Sequence, residues 1–135
     1  MAREKTYSEV AVRTWPFVIM GSLANSRSSG KFRDIREVHD AFEKWARGSE
    51  LSVNVFITAG FIGSRSREGT IQTGSGFKVE GAFLRDRDSG CFPIVQATRS
   101  LAKALASALE QRGLLIQLPG ESPELWYSAL VEEEV

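Results

Sequence analysis

The chain has 135 residues, 42% of them hydrophobic and 25% charged, and its acidic and basic side chains balance to a net charge of zero. That composition suits one globular domain with a core of its own and excludes a wholly disordered chain, which would carry fewer apolar residues and more net charge. A single cysteine, Cys91, and a single histidine, His39, exclude an intramolecular disulfide and any metal site rich in these ligands.

From the N-terminus, residues 6–13 (TYSEVAVR) alternate loosely, with Val10 and Val12 on one side, and predict a first strand. Trp15-Pro16 then interrupts it. Proline has no N–H for a ladder, so Phe17 to Met20 is expected on a sheet edge. The polar stretch GSLANSRSSGK, 21–31, reads as a loop.

The spacing predicts a helix over 34–47, because at about 100° per residue Ile35, Val38, Phe42 and Trp45 share one face. Asp34 and Glu37 have the spacing of a capping box, and Gly48 marks the stop. From Leu51 to Ile62 the period changes to two. Leu51, Val53, Val55 and Ile57 point one way, and Ser52, Asn54, Phe56 and Thr58 the other. A loop over 64–69 leads to two short strands, 70–73 and 77–84, with Gly74-Ser75-Gly76 as the tight turn between them.

After the polar connector RDRDSG, 85–90, comes the segment around which the rest is organised, a helix predicted over 93–113. Ile94, Thr98, Leu101, Leu105, Ala108 and Leu109 fall on its dry face. Pro93 suits the first helical position, and Gly113 supplies a left-handed stop. Leu114, Leu115, Ile116 and Leu118 follow as a short buried strand. In the tail, Ser122-Pro123-Glu124 resembles a helix start, yet Glu132, Glu133 and Glu134 would sit at the negative end of that helix's dipole. Helix and strand both stay open there, with Leu125, Trp126, Tyr127 and Leu130 apolar enough to dock.

The fold expected is α+β, with two helices packed on one face of a mostly antiparallel sheet. If the two short strands count as one, the order is βαββαβ, a ferredoxin-like arrangement. Residues 1–120 form the domain and 121–135 an acidic, docked tail. The body holds all 17 basic residues against 12 acidic ones, a net of +5, while the tail holds five glutamates and no base.

No residue cluster dictates a chemistry. The 21–31 loop ends in Gly30-Lys31 but lacks the glycine five residues earlier and the Ser or Thr after the lysine that a phosphate-binding loop needs. Two basic serine-rich loops remain, with Arg27, Ser28 and Lys31 in one and Arg65 and Arg67 in the other. If they converge they form an anion site, and Phe56 could stack a base of a single-stranded nucleic acid. The low charge of the body, the lone aromatic and the missing RNA-reader motif make this the lesser reading. His39, near the rim of the first helix's apolar face, carries a third reading as the base of a small enzyme, and packing is its simpler role. Cys91 before the long helix reads as a bystander, and Asp86 with Asp88 as internal ion-pair partners of the neighbouring arginines.

Scarce catalytic groups, together with Phe56, Trp126 and Tyr127 as interface aromatics, lead to the expectation of a non-catalytic binding or regulatory domain that self-associates, as a homodimer. No cofactor, metal or membrane partner is expected. No apolar run nears the ~20 residues that span a bilayer, the N-terminal MAREKTYSE lacks the apolar stretch of a secretory leader, and a cytoplasmic location fits.

Overall fold

The computed structural model describes residues 5–9, 14–23, 33–84, 92–111, 113–118 and 126–131. Among these described residues seven elements follow in order: β1 (Thr14–Ser22), α1 (Ile35–Arg47), β2 (Val53–Arg65), β3 (Ile71–Leu84), α2 (Phe92–Ala108), β4 (Gly113–Leu118) and β5 (Trp126–Val131). The strands form one sheet of order β2-β3-β1-β4-β5, and every neighbouring pair is antiparallel. The first four strands with the two helices give the expected βαββαβ order, and β5 is added beyond β4.

Alternation decides which face of the sheet the helices cover. Phe17, Ile19, Phe77, Val79, Phe83, Leu114 and Ile116 are buried on one side, together with Val38 of α1 and Ile94, Leu101 and Leu105 of α2. Leu109, just past α2, joins them. Within this core Phe17 and Phe83 stack at 5.1 Å, Trp45 meets Phe83 edge-on, and the Trp45 indole N–H donates to Ser100 Oγ at 3.1 Å, fastening α1 to α2. Thr98, buried on the same face, donates its hydroxyl to the Ile94 carbonyl at 2.8 Å.

The predicted start of α1 forms as a capping box: the Arg36 N–H donates to Asp34 Oδ1, and the Asp34 N–H to Glu37 Oε2, each at 3.0 Å. Several boundaries differ from expectation, each for a physical reason. Of the strand expected over 6–13, residues 6–9 are exposed without regular structure and Val10 to Arg13 lie outside the described residues; the first strand described runs through Trp15-Pro16. It is central, flanked by β3 and β4. Among the described residues β4 pairs with Val18, Ile19 and Met20 and only β3 lies beside Pro16, where a proline is better tolerated than between two neighbours.

The two short strands are one, β3, which runs straight through Gly74-Ser75-Gly76. The turn lies earlier, at 66–70, where Gly69 takes φ +89° and the Gly69 N–H donates to the Ser66 carbonyl. Gly76 serves close approach: a Cβ there would lie 2.8 Å from Ile62 Cβ and 2.9 Å from the Gly21 carbonyl oxygen. The long helix begins at Phe92 and ends at Ala108, short of Gly113. Its left-handed residue is Glu110, φ 53°, with the Gln111 N–H donating to the Ala106 carbonyl and the Glu110 N–H to that of Ser107. That is the bonding of a Schellman motif with glutamate in glycine's usual place. Part of the tail is a strand, β5, paired to β4.

Candidate functional site

The helices leave the reverse face of the sheet open. By register its rows read Asn54, Ala82, Pro16; then Phe56, Glu80, Val18, Gln117; then Thr58, Lys78, Met20, Leu115; then Gly60, Gly76, Ser22; then Ile62, Gly74. β2 and β3 continue past the end of β1 as a two-stranded arm. Where the arm leaves the sheet, the open face sinks into a cleft of about 250 Å³ with Met20, Thr58, Gly60, Ile62, Gly76 and Lys78 among its lining.

Two register partners, Gly60 and Gly76, make the floor of this cleft. Strand partners have Cα atoms roughly 4.5–5.5 Å apart, so two facing glycines leave this row without side chains of its own; Ile62 of the next row leans over Gly76, its Cβ 2.8 Å from where a Gly76 Cβ would stand, and the bare backbone is that of Gly60. Along β2 the neighbouring open-face residues, Thr58 and Ile62, are each about 7 Å of strand from Gly60. Thr58 and Lys78 stand on one rim, and Ile62 on the other. The Lys78 ammonium is held 3.0 Å from the Glu80 carboxylate on the same face of β3. No carboxylate stands among the described lining residues.

A second concavity of about 430 Å³ lies on the helix side, along the edge where α1 meets β2. Phe42, Ala46 and Ile57 line it, with His39, Glu43 and Arg47 one turn apart along α1. The Arg47 guanidinium bonds Glu43 at 2.5 Å, and His39 is exposed. This groove brings together the imidazole, a carboxylate and a guanidinium. Ile57 and Thr58 are adjacent on β2 and point to opposite faces, so the sheet separates groove from cleft.

The predicted anion residues fare differently. Arg27, Ser28 and Lys31 lie outside the described residues, as do Cys91, Asp86 and Asp88. The ends of their loop are located: the Leu23 N–H donates to the Ser75 carbonyl at 2.9 Å, and the Arg33 N–H to the Leu23 carbonyl at 2.6 Å. Arg65 ends β2 and Arg67 is in the turn, both exposed at the tip of the arm. Phe56 is 72% exposed on the open face, directly opposite Glu80. Nine residues of strand at ~3.3 Å each put it about 30 Å from Arg65, and a carboxylate beside it opposes a phosphate chain. Trp126 and Tyr127 pair with Leu118 and Gln117 in β5, at the sheet edge opposite β2, so the tail strand does not cover Phe56.

The cleft was missed in sequence because Gly74-Ser75-Gly76 reads as a turn and the strand from Leu51 to Ile62 reads straight through Gly60. The available signal was Gly60 itself, since an isolated glycine in a strand often marks close backbone approach. Among the described residues no group of His, Cys, Asp and Glu is arranged to hold a metal, and no helix is long and apolar enough to cross a membrane.

No family model and no curated protein matches the chain. Solved structures do. A phage SAM lyase in complex with S-methyl-5'-thioadenosine has a similar fold, with a TM-score of 0.64 at 12% identity over 93% of this chain and 97% of that one. A phage SAM lyase in its apo state gives 0.58 at 11% identity over 97% and 99%. This overturns the expectation of a non-catalytic regulatory domain, which rested on the scarcity of recognisable catalytic groups. An enzyme is built on the same architecture along nearly its whole length.

Proposed function

We propose that this protein is an enzyme that splits S-adenosylmethionine, or a close sulfonium analogue, into methylthioadenosine and a four-carbon amino-acid fragment. The observation that supports this is the end-to-end match of fold to a phage SAM lyase, with almost nothing left over in either chain. The chemistry also suits a site poor in acids and bases. When the C–S bond breaks, both electrons go to sulfur and the leaving group is a neutral thioether, so no proton has to be delivered to it. The carbon left behind is satisfied by the fragment's own carboxylate, which closes a ring without a base. A substrate whose positive charge disappears along the reaction is favoured in its transition state by surroundings that offer that charge no partner. The cleft on the open face, apolar apart from Thr58 and the paired Lys78, has that character.

The edge groove supports a second reading. Elimination would instead remove a proton beside the reacting carbon, and His39 is the imidazole available for it. The two fragments are isomers, so mass alone does not separate them, but proton NMR does through the vinyl signals of the eliminated product. We expect the purified protein to release methylthioadenosine from S-adenosylmethionine, followed by chromatography and mass spectrometry. His39→Ala should retain the rate within about twofold, since ring closure gives a general base none of its usual 10²–10⁴-fold effect. Vinyl signals with a large loss in His39→Ala would move the reaction to the groove, and no turnover at all would end both readings. A single cysteine suits the reducing interior of a cell and supports a cytoplasmic setting.

A further inference from the structure

The 250 Å³ cleft contains a feature that the fold itself does not need. Glycine inside a strand costs roughly 0.5–1 kcal/mol relative to alanine, so each one calls for a reason. Gly21, Gly76 and Gly81 have one: a Cβ would run into Leu114 and Phe77, into Ile62 and the Gly21 carbonyl, or into the Asn54 carbonyl and Val55. Gly60 does not. Nothing lies within 4 Å of a Cβ built there, and its φ is outside the left-handed region. A valine would fit and would favour the strand, but its side chain would stand in the middle of the cleft floor.

Resting on the reading above, we infer that this bare strip is where the purine nucleoside part of the substrate lies. Its flat ring would sit on the exposed peptide plane of Gly60, with Ile62, which leans over Gly76, on one side and the Thr58 and Lys78 row on the other. A planar ring needs a floor without side chains, and along β2 the recess is about one ring wide, with Thr58 and Ile62 each two residues, ~7 Å of strand, from Gly60. Met20 and Ile62 supply dispersion contacts. The Thr58 hydroxyl and the Lys78 ammonium stand where ring nitrogens or ribose hydroxyls can accept from them.

The test is calorimetric binding of methylthioadenosine to the wild type, Gly60→Val and Gly74→Val, with thermal melts of all three. Gly74 also has nothing within 4 Å of a built Cβ but lies a row nearer the arm's tip, outside the cleft lining, and so serves as the control. Gly60→Val should stay folded and lose at least ~10-fold in affinity, the scale of a misfit in a shaped pocket, while Gly74→Val stays within about twofold. Equal binding by a folded Gly60→Val would overturn the placement alone, as would a change in oligomeric mass with affinity intact, which would assign the strip to a second copy's backbone. A wild type that neither binds methylthioadenosine nor cleaves S-adenosylmethionine would overturn the proposed function as well. Amide NMR on the unaltered protein needs no variant. Ligand-induced shifts should centre on 58–62 and 76–78, and shifts centred on α1 would refute the placement.

Discussion

Glu110 is where one residue most visibly works against its own preference. A non-glycine side chain in the left-handed region costs about 1–2 kcal/mol. What it gains is Arg33, whose guanidinium lies 3.1 Å from Glu110 and 2.9 Å from Glu37, joining the start of α1 to the end of α2. The hydrogen bond that Arg33 donates to the Glu37 carboxylate, with the charge of both carboxylates, holds the Arg33 pKa above its ordinary value, so this side chain stays charged throughout the usual pH range. An ion pair this close to solvent contributes little and fades with salt. Glu110→Gly should therefore raise the urea midpoint by the equivalent of ~1 kcal/mol at high salt, where relief of the backbone dominates, and by less at low salt. A loss of stability at low salt that shrinks as salt is added would show that Arg33 matters more than this balance allows. None of this was legible in sequence, because Gly113 is the better helix stop on local rules and only the position of Arg33 explains why a glutamate is held there.

At the scale of the element, the helices were the easiest to read. Their apolar stripes and the Asp34 capping box are local patterns, set by neighbours three and four residues away. The strands were harder, because a glycine in a strand has two meanings that only the partner strand distinguishes. Gly76 meets Ile62 and the Gly21 carbonyl, whereas Gly60 meets open space, and both are simply glycine in the sequence. Opposite results are expected from the same substitution. Gly76→Ala should destabilise the protein by ~1–3 kcal/mol through overcrowding between β1 and β2. Gly60→Ala should be neutral or gain up to ~1 kcal/mol from reduced chain entropy. Chemical denaturation of the two variants side by side measures the contrast, and similar losses in both would mean that the floor of the cleft is required by the fold.

For the molecule as a whole, β5 decides where the sheet ends. It pairs with β4 from Gly113↔Val131 to Leu118↔Trp126 and so covers the edge of a strand whose Leu114 and Ile116 belong to the core. Removing residues 126–135 would leave that edge as an unpaired row of N–H and C=O groups beside apolar side chains, a template for another chain. The truncated protein should melt at lower temperature and grow in mass with concentration under light scattering. A monomer of unchanged stability would mean that β5 contributes nothing to the sheet. The open face belongs to this scale too: covering one side of the sheet with helices is what leaves the other side open.

The sequence by itself determined the α+β class, both helices with their buried faces, and the βαββαβ order, because periodicity and capping act over a few residues. Tertiary structure alone decided that β1 is central despite Pro16, that β3 runs unbroken through its glycines, and that Gly60, Gly76, Thr58 and Lys78 share one cleft. Those facts depend on which strands lie side by side, and strand pairing is a relation between distant segments that no local pattern encodes.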